Sequence, residues 1–364
     1  MNEIIKQCVG IDISKDTFTV CVCRRDLSGK EYLSETVDFK NLKTGFNQLV
    51  KWSRKITDPS IETLFVMEAT GIYYENLAHH LHRLNLPVSV LLPNKVKHFA
   101  KSLNVKTKTD QVDARIIARL GAERKLLLWK PPPEIFKLLK DLTREYAELI
   151  RERTAFKNRL HAMSSGYKPH PAIIRSNKAI IKKLTENAEK IKEEIEKLIY
   201  SEEWLGSKVN KVLTAKGVGL MTVATILAEM QGFEFVSNIR QLCSYAGYDV
   251  VQRESGTSVR GKTRISKKGN GRIRAALHFP ALQSARHSPR MKSIYDKINQ
   301  NKPSKMVGAT AIQRKMLVLI YTLWKKDEEY VEDYENKAGR GLSNLPAQDE
   351  LPTSSQKLSF VCEI

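Results

Sequence analysis

Asp12 is the first residue whose surroundings suggest chemistry. It stands between Ile11 and Ile13 inside an apolar run, 9–13, with the composition of a buried strand. A carboxylate there is costly to desolvate unless it faces a site or a cation. Glu68 has the same character, because it ends the apolar stretch 63–67 where side chains emerge at a sheet edge. Asp110 and Asp113 lie three apart at the start of a helical segment, which puts both on one face, one turn apart. A helix N-terminus also favours negative charge. Taken singly, each acid has a plain explanation: Asp110 and Asp113 as first-turn residues, Glu68 as a helix cap. Taken together they could meet at one sheet edge, and carboxylates so placed must either raise their pKa values or share a divalent ion. Oxygen-only donors suit Mg2+ or Mn2+, and a pair of such ions is the usual apparatus for cutting a phosphodiester.

A second constellation lies far along the chain. Arg253-Glu254-Ser255-Gly256-Thr257 is followed by Ile265-Ser266-Lys267-Lys268-Gly269-Asn270-Gly271-Arg272-Ile273-Arg274. A serine among cations can attack a phosphodiester, with nearby Lys and Arg stabilising charge on the phosphate. By composition alone, Ser-Gly in a basic loop is a turn. Lys267, Lys268, Arg272 and Arg274 are expected to contact phosphates. The charge balance supports a polyanionic partner: 61 Lys and Arg against 40 Asp and Glu give +21. Residues 251–326 carry 18 basic and 2 acidic side chains, net +16, whereas 327–364 carry a net −6.

The elements that must position these residues divide at Pro131-Pro132-Pro133, a strong breaker. Before it the pattern is α/β. Strands are expected at 9–13, 17–23, 32–39, 63–67 and 88–92, and helices near 41–55, 72–84, 94–102 and 111–123. After it come two long amphipathic helices, 134–163 and 172–200, joined by a Pro- and Gly-containing turn; they form either a spacer or a coiled-coil dimerisation arm. Shorter helices are expected at 220–230, 240–247 and 309–326. Gly217 and Gly219 open the first of these, as a tight turn or as a phosphate-holding element. The expected domains are 1–133, 134–205, 206–326 and an acidic flexible tail, 327–364. No secretory signal and no apolar run of membrane-spanning length is visible. Five scattered cysteines fit a reducing cytosol, with Cys21 and Cys23 as buried small side chains. His79, His80 and His82 lack a partner cluster at zinc spacing, and Tyr73 and Tyr74 suit packing better than base stacking.

Asp in a first strand, Glu in a later one and Asp-x-x-Asp on a following helix is the pattern of a ribonuclease H-like nuclease. With KTKTDQVDARIIARL around the last two acids, and SYAGY, ESGTS and RISKKGNGRIRAAL in the basic region, the chain resembles the insertion-sequence one-ten family of transposases. The resemblance covers nearly the whole chain, most clearly 7–125 and 210–290. It implies a RuvC-like α/β N-terminal domain, a helical coiled-coil connector and a mainly α C-terminal transposase domain. It implies a metal-binding tetrad of Asp12, Glu68, Asp110 and Asp113 with Mg2+ or Mn2+. Ser255 would be the nucleophile, with Ser258 the nearest alternative. Also implied are a phosphoserine intermediate, donor and target DNA as substrates, a structured bridge RNA that pairs with both, and a homo-oligomer built as a dimer of dimers. Its expected place is the prokaryotic cytoplasm, at the nucleoid. A metal-only nuclease resembling a Holliday-junction resolvase is the alternative, and it would make Ser255 dispensable.

Overall fold

The computed structural model describes residues 3–69, 71–252, 254–255, 259–261 and 263–331, and the side chains of 255, 259 and 260 are outside that description. The chain forms two compact units, Met1–Pro131 and Pro132–Ile364.

The first unit is a mixed sheet with helices on both faces. Strand β1 (Ile4–Ile13) pairs antiparallel with β2 (Thr17–Asp26), and β2 pairs in turn with β3 (Glu31–Leu33) and β4 (Val37–Lys40). Helix α1 (Lys43–Ile56) leads to β5 (Thr63–Glu68), which lies parallel to β1. Helix α2 (Glu75–Arg83), strand β6 (Val88–Leu91), helix α3 (Pro93–Ser102) and helix α4 (Asp110–Glu123) complete the unit. The strand order is β3-β2-β1-β5-β6, with β4 also on β2.

The two-residue period of a strand decides what each face carries. Val9, Ile11 and Ile13 point into one core with Phe65, Met67 and the apolar side chains of α1 and α2. Cys8 and Val66 point into the other, with Cys21, Cys23 and residues of α3 and α4. Asp12 and Glu68 therefore share the α4 face. Ile11 pairs with Met67 in the β1–β5 ladder, so Asp12 and Glu68 follow side by side at its end.

Glycine lets α4 come this close. A Cβ on Gly10 would stand 2.1 Å from the Ala118 amide nitrogen and 2.5 Å from the Ala114 carbonyl oxygen. Gly10→Ala must therefore push α4 off the sheet. It is expected to cost roughly 1–3 kcal/mol or more, as overpacking does, read as a lower urea midpoint. An unchanged midpoint would show that α4 does not rest on β1.

Two expectations for this unit change in detail. The single strand expected at 32–39 is broken into β3 and β4, because Ser34 between them accepts the Val22 N–H on its hydroxyl (2.9 Å). Helix α2 starts at Glu75 rather than 72, after Gly71 in the left-handed region (φ 58°).

The second unit is mostly helical. Helices α5 (Glu134–Ser164) and α6 (Pro171–Tyr200) pack against each other as an antiparallel hairpin. Their fully buried apolar residues lie mainly at one end, at Phe136, Leu139, Ile195 and Ile199. Helix α7 (Glu203–Leu213) precedes α8 (Leu220–Met230), whose residues 222–224 and 226–230 are all buried, as befits a central helix. Gly217, before α8, sits at φ 86° against the α11 segment 278–287, where a Cβ would meet the Pro280 carbonyl at 3.2 Å; this is a tight turn between core helices.

Helix α9 (Ile239–Ala246) follows. The basic region then holds elements that its charges conceal in the sequence. Strand β7 (Val250–Val251) pairs with β10 (Arg264–Ile265), and nested between them β8 (Glu254–Ser255) pairs with β9 (Val259–Arg260). Three helices come next: α10 (Gly271–Ala276), α11 (His278–His287) and α12 (Pro289–Asn299). Helix α13 (Met306–Lys326) buries Ile312, Met316 and Ile320 in the common core with α8. Residues 332–364, most of the acidic tail, lie outside the described residues. Among the described residues no helix is long and apolar enough to cross a membrane.

Candidate carboxylate site and basic face

Asp12 and Glu68 stand half-buried at neighbouring strand ends, and α4 brings the other two acids to the same face. Thr109 caps α4 by accepting the Val112 N–H on its hydroxyl (3.3 Å). That fixes the first turn, with Asp110 exposed and Asp113 half-buried. Glu68 does not cap α2, whose N-cap is Tyr74.

Asp12 senses the other three acids. Burial, then the charges of Asp113, Asp110 and Glu68, push the Asp12 carboxyl up to about 6, while Lys108 opposes the rise. Burial also raises Asp113, against the pull of Lys108 and with a push from Asp110. All four acids are thus gathered at one sheet edge. Among the described residues, however, no three His, Cys, Asp or Glu side chains lie close enough to grip one ion as they stand. The donors are all carboxylate oxygens, the set that hard divalent ions prefer. Lys108 escaped the sequence reading, although its place two residues before Asp110 in the basic run KTKTD is a visible signal.

Ser255 lies on β8 opposite Val259, with its side chain outside the description; Ser258 is outside the described residues altogether. Of the four expected phosphate contacts, Lys267 and Lys268 are exposed in the turn between β10 and α10. The exposed Arg272 lies 3.7 Å from Glu148 and 3.9 Å from Glu229. Arg274 is half-buried and donates to the Ala246 carbonyl (2.7 Å), so part of its guanidinium holds the end of α9. The remaining candidates behave as packing groups. Cys8, Cys21, Cys23 and Cys243 are buried free thiols. His79 and His82 stand edge-on to Trp129, with ring centroids 5.1 and 6.0 Å away.

Comparison with known proteins finds two family models. A family model described as "Transposase" matches residues 9–169, and one described as "Transposase IS116/IS110/IS902 family" matches 209–296. The "Pilin gene-inverting protein" of Moraxella bovis is 28% identical over 330 residues, covering 89% of this chain and 98% of that protein. The "Transposase for insertion sequence element IS1111A" of Coxiella burnetii is 23% identical over 360 residues, covering 88% and 90%. A crystal structure of the Aquifex aeolicus Ppx/GppA family member overlaps at 10% identity over 89% of this chain and 92% of that one, with a TM-score of 0.21, too low to bear on the fold. The two family models fall on the two constellations, one on the carboxylates and one on the basic region, and together they match more than half of the residues: the chain belongs to the IS110 family of transposases.

Proposed function

We propose that this transposase cuts and rejoins DNA with a Mg2+-dependent carboxylate site in a RuvC-like N-terminal domain and a serine nucleophile in its basic region, guided by a structured RNA. The observation that carries the first part is the gathering of Asp12, Glu68, Asp110 and Asp113 at one sheet edge, with Asp12 pushed up to about 6 by burial and by the other three. Such a cluster favours a cation, and its oxygen donors fit Mg2+ or Mn2+. Holding one ion would require Asp12, Glu68 and Asp113 to close in by side-chain rotation. A bound divalent ion supplies Lewis-acid stabilisation of charge on the scissile phosphate. Lys108 adds a fixed positive charge beside the same acids.

In the second part the Ser255 hydroxyl attacks the scissile phosphorus. A phosphoserine ester forms, the bond to a deoxyribose oxygen breaks, and the hydroxyl proton passes to that leaving oxygen. The ester keeps the phosphodiester bond energy, so a deoxyribose hydroxyl can reverse the step on a new strand. A relative named for inverting a gene is in keeping with cutting followed by rejoining. Lys267, Lys268, Arg272 and Arg274 would contact phosphates; such contacts position DNA without reading it. Sequence choice would fall to RNA pairing with donor and target DNA. A homotetramer, with the hairpin of α5 and α6 as a coiled-coil arm, would bring the carboxylates and the serine of different subunits together.

Sequencing the nucleic acid that co-purifies with the protein tests the guidance. One discrete, structured RNA is expected. Heterogeneous fragments alone, with full activity retained after ribonuclease treatment, would overturn it.

A further inference from the structure

Helix α8 carries a single charged residue, Glu229, among apolar side chains and two threonines, and that acid is 4% exposed. A carboxylate so placed is tolerated only if its oxygens are bonded. Arg144 of α5 grips it with two bonds, from Nε (2.7 Å) and a terminal nitrogen (3.0 Å). Asn270 donates its amide to the second oxygen (2.8 Å). Burial works to raise the Glu229 carboxyl, but the bonds from Arg144 and Asn270 outweigh it and hold the group below its ordinary value.

Asn270 is bound at its other end as well. Its side-chain oxygen accepts the backbone amides of Arg272 (2.9 Å) and Ile273 (3.3 Å), and its own backbone amide donates to the Tyr245 carbonyl (2.7 Å). Tyr245 returns to the hub, its hydroxyl donating to the Glu229 carbonyl (3.0 Å). Asparagine suits this post: the carboxylate needs a donor and the start of α10 needs an acceptor, and its side chain supplies both.

The turn just ahead is seated with equal care. Ser266 donates through its amide and its hydroxyl to Asp249 (2.7 and 2.8 Å), and the Lys267 amide donates to Gly247 (3.1 Å). Gly269 fits so closely that a Cβ would stand 2.5 Å from the Gly247 amide nitrogen. Lys267 is held at φ 54°, a conformation unfavourable for a residue with a side chain. Both lysines nevertheless remain exposed.

We infer that Glu229 is a positioning residue: through Asn270 it fixes the turn that presents Lys267 and Lys268 as a preformed cradle for nucleic-acid phosphates. The inference rests on the proposed reading of those lysines as phosphate contacts. It assigns α5 a share in the cradle as well, because Arg144 anchors the hub from that helix.

The test uses the full chain and a fluorescent DNA duplex of arbitrary sequence, with affinity measured across a salt series. Lys267→Ala combined with Lys268→Ala is expected to flatten the slope of log affinity against log salt by about 1 per lysine. Glu229→Gln and Asn270→Ser are each expected to flatten it similarly, and the lysine substitutions to add nothing further in the Glu229→Gln protein. Serine keeps a cap on α10 but cannot reach Glu229, so it serves if Glu229→Gln fails to fold. If the lysine variant flattens the slope while the folded hub variants keep that of the unaltered protein, Glu229 is merely structural and the inference fails. If the lysine variant itself keeps the slope, the phosphate reading fails, and the inference with it.

Discussion

Asp12→Asn is expected to lower Mg2+-dependent strand cleavage by roughly 10³-fold, the equivalent of about 4 kcal/mol of transition-state stabilisation. Asparagine keeps the size of the side chain and removes its charge, so the buried strand should tolerate it. What it removes is an acid that burial and the charges of the other three carboxylates push up to about 6. Nicking of labelled DNA measures the loss, and cleavage at an undiminished rate would remove Asp12 from the proposed site. A companion measurement fixes the sign of the electrostatics. The folded Asp12 carboxyl is raised from 3.8 to about 6, so its proton favours the folded state. Its contribution to stability is full below about 4 and is lost as the pH rises through about 6. In divalent-free buffer the melting temperature is therefore expected to fall across that interval, and the fall is expected to shrink in the asparagine variant. Asp113, raised mainly by burial, adds in the same direction.

Ser255→Ala is expected to abolish the protein–DNA adduct while leaving DNA affinity unchanged. The substitution removes one hydroxyl and no charge, so the phosphate contacts that dominate affinity survive. Denaturing gels of reactions with labelled DNA read the adduct. Ser258→Ala is the control, expected to keep it. An adduct that persists in the Ser255 variant and disappears in the Ser258 variant would exchange the two roles.

Much of the carboxylate site is legible in the sequence because the elements that position it are regular. A strand's alternation places Asp12 and Glu68, and a helix's first turn places Asp110 and Asp113. Their convergence depends on Gly10, whose missing side chain lets α4 approach to backbone contact, and no pattern of apolar residues announces that. The basic region is less legible. Its charges obscure the apolar spacing of Ile273, Leu277 and Ala281, so the sequence pattern does not reveal helices α10 and α11 or the short ladders around Ser255. Glu229 gives the same signal as Asp12, a lone acid in a largely apolar segment, but the sequence does not show what it binds. Its partners, Arg144 and Asn270, stand 85 and 41 residues away in sequence, and only the folded chain brings them together.

The proposal that strands are exchanged through an enzyme-linked phosphate comes down to one bond. DNA incubated with the protein and Mg2+, trapped by denaturation, digested and sequenced by mass spectrometry, is expected to yield a peptide carrying a nucleotide on Ser255. Cleaved DNA with free ends and no nucleotide-bearing peptide would contradict it, and would leave a carboxylate nuclease that cuts with water.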